Sequence, residues 1–377
     1  KLGGSKIMEK NELGSIIIYL IMFGLIYLVG QTVIVLALKS TAVQNQALYI
    51  FICAVISILV FAFTYELGHV IGAKIGKYKC TYFNVFGFCW YKEDEKWKFK
   101  FEGFDGLFGE TRFVPISKDA KCNPAHFLRG GLIAFIVSVL VALVIFIITA
   151  IPDTIRFGTL IYFGVGMVFV LYNVIPMKTD ILNDGYRLKL LGSKENAEAY
   201  NEFMRIENDA RKGIVTEDVK VYENISPMTV LIYNYAFYHA LAKHDYQKAE
   251  EIVDIILKDP NALDSNTVYR FRFQKLYFVI LRENKEEASE YYWKTMTSYD
   301  RKYLVKDNFI PSKRVYLLVS GIINESSSES VIAIEGMKKR INRMVNKTQQ
   351  SVEMEQYEKC IKLVSENLKV DDLSEHF

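Results

Sequence analysis

Residues 16–38 contain no charged side chain across 23 positions, and three further charge-free apolar runs follow at 47–63, 132–151 and 157–177. The hydrocarbon core of a bilayer is crossed by ~20 apolar residues in helical form, because only a helix satisfies its own backbone groups there. Each run therefore predicts a spanning helix. The chain is 51% hydrophobic yet 24% charged, so its charges are segregated outside these runs. Four spans put both termini on one side of the membrane.

Basic residues near span ends are retained on the cytoplasmic face. The segments 39–46 and 152–156 carry one Lys or Arg each, whereas 71–126 carries ten. The last segment, the N-terminus and the region after the fourth run are thus expected to be cytoplasmic, in a multi-pass protein of a bacterial cell membrane. Residues 1–7 precede Met8 and read as an added linker. The five cysteines, Cys53, Cys80, Cys89, Cys122 and Cys360, show no metal or disulfide spacing and are expected to be free thiols. A net charge of +3 without a basic, aromatic-interleaved stripe argues against nucleic acid as a partner.

Two polar clusters sit where spans end. The second run leads into Tyr65-Glu66-Leu67-Gly68-His69. In an HExxH helix, two histidines four residues apart bind one metal from the same face and the adjacent Glu activates the metal-bound water. Glu66 and His69 fit that pattern, but Tyr65 stands where the first histidine is required. The fourth run ends in Asn173-Val174-Ile175-Pro176, followed by Leu182-Asn183-Asp184-Gly185-Tyr186. Taken singly, these are a turn pair and a helix stop. Their order and shared side favour one site.

Over residues 51–191 the chain resembles the site-2 protease family of intramembrane zinc metalloproteases. The resemblance implies His69 and Asp184 as ligands of one zinc ion, Glu66 as the general base, and Tyr65 at the place of the missing first ligand. Asn173 and Pro176 would match the family's N-x-x-P segment and Gly185 its D-G pair. Gly130 and Gly131 match its Gly-Gly-Pro segment, with Leu132 replacing the proline. Asp184 lies eleven residues after Asn173, further than the family's compact form, which leaves Asp180 as an alternative ligand. The implied substrate is a membrane-embedded segment or peptide precursor cut near the cytoplasmic face. Residues 80–114 alternate aromatic and polar side chains, which predicts membrane-surface strands. Their edge would hold substrate as an added strand, or the sheet would simply cover the site.

A phenol ionises near pH ~10 and is a poor ligand compared with neutral imidazole. Zinc is therefore expected to bind weakly or not at all, and the chain to be nearly inactive. An introduced change, a natural pseudoprotease and a recruited ligand such as His126 all remain open. The contrasting reading is a metal-free membrane adaptor that binds partners through its C-terminal region.

From residue 192 the pattern turns to charged amphipathic helices. The stretch His244-Asp245-Tyr246-Gln247-Lys248-Ala249-Glu250-Glu251, running to Pro260, resembles a tetratricopeptide repeat, and a weaker copy surrounds Ala288 and Tyr292. Two units fall short of the three such arrays usually need, so an irregular helical domain is the plainer expectation. It would bind a protein or peptide ligand, or serve folding and dimerisation. The expected fold is mainly α: a polytopic membrane helical core with a small membrane-surface β element over 8–191, followed by a soluble helical, repeat-like domain over 192–377.

Overall fold

The computed structural model describes residues 10–38, 45–93, 95–101, 108–117, 122–177, 182–211, 214, 216, 219–220, 222–282, 285–344, 346–370 and 373–377. Residues 1–7 and Asp180 lie outside the described residues. The chain divides into two compact units, Lys1–Met204 and Arg205–Phe377.

The first unit contains four helices long and apolar enough to cross a bilayer: α1 (Lys10–Leu38), α2 (Gln46–Ile75), α3 (Ala125–Ile147) and α4 (Asp153–Val174). They leave large apolar side chains exposed, among them Phe23, Leu28, Phe51, Ile133 and Val144. Patches of this size suit lipid rather than water. Helix α2 begins at Asn45, whose side chain accepts from the Leu48 N–H, and continues twelve residues past the charge-free run before Gly76 and left-handed Lys77 (φ 67°) stop it. Its polar motif is therefore mid-helix. It stays helical because Glu66 and His69 are buried against neighbouring elements instead of ending the helix in water.

Helix α2 packs most extensively on α3. The contact is backbone on backbone: a Cβ built on Gly72 would lie 2.9 Å from the Cα atoms of both Gly130 and Phe127, and one on Gly68 would lie 2.5 Å from Ala134 Cβ. Small residues permit this approach, which supplies van der Waals packing where lipid offers no hydrophobic drive. Helix α4 closes the group through Phe61, stacked on Tyr162 at 4.0 Å and edge-on to Phe135 at 5.4 Å.

Between α2 and α3 the chain folds into an antiparallel sheet of order β3-β2-β1-β4, formed by β1 (Tyr78–Val85), β2 (Phe88–Glu93), β3 (Lys96–Phe101) and β4 (Gly109–Pro115). Phe86 and Gly87, both at positive φ, make the two-residue turn between β1 and β2 that matches strand twist. After α4 come the short α5 (Asp184–Leu190) and α6 (Lys194–Arg211).

The second unit is all helical among the described residues: α7 (Thr229–Ala242), α8 (Tyr246–Ile256), α9 (Ser265–Arg282), α10 (Lys285–Glu290), α11 (Ser298–Lys306), α12 (Ile310–Leu318), α13 (Ser327–Ile334), α14 (Met337–Asn342) and α15 (Lys347–Leu368). Asp245 caps α8 and fully buried Ala249 lets it lie close to α7. Helix α8 ends at Ile256, ahead of Pro260, and α10 spans only six residues before a wider turn at Tyr291–Thr295. One core runs through the unit. At its centre, fully buried Arg314 donates through Nε to Glu353 Oε2 (3.0 Å) and through Nη2 to Gln274 Oε1 (3.1 Å).

The five cysteines are free. Burial pushes the Cys360 thiol up to about 12 and the Cys80 thiol up to about 11, so neither is a thiolate nucleophile at neutral pH.

Replacing Arg314 by Met strands the Glu353 carboxylate and is expected to cost about 3–5 kcal/mol, whereas replacing both partners by apolar residues costs much less. Denaturant unfolding followed by circular dichroism tests this; equal losses in the single and double variants would contradict it.

Candidate functional site

One turn of α2 presents Tyr65, Glu66 and His69, and the start of α5 brings Asp184 to them from 119 residues away. His69 Nε2 lies 3.3 Å from Asp184 Oδ2, and the Tyr65 hydroxyl donates to that same oxygen. The Tyr65 ring stacks on Phe135 at 4.1 Å and meets the His69 ring edge-on at 4.4 Å. Glu66, His69 and Asp184 are all buried.

Each group is held by a residue the motif alone does not name. His69 Nδ1 is 2.8 Å from the Phe127 carbonyl oxygen on α3; as donor to that carbonyl, it leaves Nε2 facing Asp184. Gly131 makes room for the ring, since a Cβ there would fall 2.5 Å from His69 Cε1. The Thr111 hydroxyl on β4 donates to Glu66 Oε2, and Gly109 at the start of that strand leaves space for Oε1, which a Cβ would approach to 2.7 Å.

Asp184 owes its place to Asn183. The Asn183 side-chain amide donates to the carbonyls of Tyr172 and Ile175 at 2.6 Å each, while its Oδ1 accepts from the Tyr186 N–H at 2.9 Å and caps α5. It thereby ties the end of α4 to the start of α5. Gly185 packs on the same end, where a Cβ would lie 2.9 Å from the Asn173 carbonyl oxygen. Arg187 Nη1 stands 3.8 Å from Asp184 Oδ1. Burial works to raise the Asp184 carboxyl, but the hydrogen bond and charge of His69, with Arg187 and Tyr65, hold it below the usual carboxylate range.

Of the residues expected from sequence, Tyr65, Glu66, His69, Asp184, Gly131 and Gly185 meet here. Gly130 belongs to the α2–α3 contact. The Asn173 side chain instead bonds the Phe169 carbonyl of its own helix at 3.0 Å, and Pro176 is exposed beyond the helix end. His126 lies beside Gly76, about two turns along α2 from His69, and does not complete a ligand set with His69 and Asp184. Thr111 and Asn183 were the residues missed. Asn183 carried the one available signal, an Asn directly before a short helix.

Zinc bonds of ~2.0–2.2 Å at a tetrahedral angle put two ligand atoms about 3.4 Å apart, which the His69–Asp184 spacing matches. A catalytic zinc needs three protein ligands, and the third corner is a phenol whose proton is already given to Asp184. Among the described residues no three His, Cys, Asp or Glu side chains are placed to hold one metal ion. The donor set as it stands does not fit catalytic zinc. Comparisons of the chain with family models, curated proteins and solved structures give no match.

Replacing Asn183 by Ala removes the helix cap and leaves two part-buried carbonyls without their donor, with an expected loss of about 1–3 kcal/mol. A thermal melt in detergent checks it; an unchanged midpoint would show that Asp184 is positioned by something else.

Proposed function

We propose that the first unit is an intramembrane metalloprotease of the site-2 type whose metal corner is closed by Tyr65, leaving this chain inactive or nearly so. The observation that carries this reading is the meeting of His69 with Asp184 at ligand spacing, one turn of α2 away from Glu66, from segments on either side of two span-length helices. With histidine at position 65 the set would be two imidazoles and a carboxylate able to hold zinc, which would supply a Lewis acid. Glu66 suits the role of base. Its Oε2 is occupied by Thr111, which leaves Oε1 to take a proton.

The substrate class proposed is a membrane-embedded segment or peptide precursor, cut at the cytoplasmic face where the basic segments lie. Among the described residues β4 pairs with β1 on one side only, so its other edge is available to an extended substrate next to Glu66. A second reading, a metal-free pseudoprotease or adaptor, draws on the Tyr65 hydroxyl satisfying Asp184 directly, which lets the site persist without an ion.

Changing Tyr65 to His is expected to give one zinc per chain by elemental analysis, and adding Asp184→Ala to remove it. Cleavage of a fluorescent membrane-span peptide should appear in the Tyr65→His form and fall at least a hundredfold on Glu66→Gln, with zinc content unchanged. A metal-free Tyr65→His protein would sink the metalloprotease reading and leave the adaptor.

A further inference from the structure

Strand β3 forms the edge of the sheet opposite β4 and alternates Lys96, Lys98 and Lys100 with Trp97, Phe99 and Phe101, all of them exposed. Register sorts these side chains by face, because directly opposed residues in a sheet point the same way. Phe101 opposes Phe88, Phe99 opposes Trp90, Trp90 opposes Phe83, and Phe83 opposes Thr111. The rings of β2 and β3 therefore share the face on which Thr111 meets Glu66, and the three lysines share the other.

The aromatic face runs on from α2. Phe83 meets Phe63 of that helix edge-on at 5.9 Å and Trp90 at 5.8 Å, and the ring contacts continue through Trp90 and Phe99 (5.3 Å) to Phe88 and Phe101 (5.1 Å). Phe63 is the last residue of the charge-free run and lies with Val60 and Leu67 on one exposed apolar stripe of α2. Phe88, Trp90, Trp97, Phe99 and Phe101 are 38–63% exposed, so the face that covers Glu66 at β4 extends past the helices as an aromatic surface. Its continuity with the stripe of a span-length helix selects lipid as the occupant, since whatever surrounds α2 at Phe63 also reaches these rings. Tryptophan and phenylalanine suit the boundary between acyl chains and headgroups, and lysines on the outer face of an element lying there stand toward the phosphates.

We infer that the β2–β3 hairpin is seated in the bilayer interface beside α2, with its five exposed rings among the upper acyl segments and its lysine row toward the phosphates. The sheet is thus anchored to lipid at one edge and holds Glu66 near the other. The inference takes the four span-length helices as membrane-spanning and needs neither zinc nor proteolysis.

Tryptophan fluorescence of the full chain in phosphatidylcholine–phosphatidylglycerol nanodiscs tests it. The chain has three tryptophans, and Trp293→Phe leaves Trp90 and Trp97 as the reporters. Acyl chains brominated at carbons 6 and 7 are expected to at least halve their emission, while aqueous iodide quenches it at least threefold less than it quenches free tryptophan. Phe99→Lys combined with Phe101→Lys should reduce the bromine quenching at least twofold and raise the iodide quenching at least twofold, with the circular dichroism unchanged; if that variant fails to fold, the contrast between the two quenchers in the Trp293→Phe chain decides alone. Emission untouched by bromine but open to iodide overturns the inference, as does unchanged quenching in the folded double variant. Shielding from both quenchers, with two chains per nanodisc by light scattering, would assign the face to a second copy and overturn the lipid assignment. Recovery of the chain with lipid reports on the helices and the quenching on the sheet, so a chain that does not enter nanodiscs overturns the inference through its helices.

Discussion

The close approach of α2 and α3 is the constraint on which the first unit depends. Gly68 and Gly72 face Gly130 and Ala134 with no side-chain layer between the backbones. Because His69 shares this seam, the approach that packs the helices also delivers its Nδ1 to the Phe127 carbonyl and its ring to the space above Gly131. A bulkier residue at any of these glycines would separate the helices and the imidazole together. Packing and site geometry are one property here.

The other half of the site is built differently. Asp184 is presented by a two-turn helix whose position comes from Asn183, which spends all its hydrogen-bonding capacity between the end of α4 and the first turn of α5. The carboxylate then accepts from the Tyr65 hydroxyl and stands 3.3 Å from His69 Nε2, both on α2. Tyr65 occupies its corner with a full complement of contacts, stacked on Phe135 and bonded to Asp184, so its presence leaves no void in the core. That self-sufficiency favours a site that remains folded without an ion.

Four helices long and apolar enough to cross a membrane, a sheet between the second and third, and the meeting of the α2 motif with Asp184 were legible in the sequence because they rest on local composition and on residue types with narrow uses. The span ends were less so: α2 runs through its polar motif to Ile75 and α3 starts at Ala125, since burial by neighbours, invisible in a hydropathy pattern, sustains helix beyond the apolar run. Thr111 gave no signal at all, being one hydroxyl in a strand whose register decides what it meets. Asn173 and Asn183 show the same limit from the other side. Both are asparagines near a helix end, and only the backbone carbonyls within reach determine which one braces the site.

The missing side chain at Gly109 has a mechanical consequence. The strand edge rests directly on the Glu66 carboxylate, and Thr111 one pleat further grips its other oxygen. Any displacement of β4 is therefore transmitted to Glu66 without an intervening layer. The position of the acid is set by the register of this edge strand as much as by its own helix.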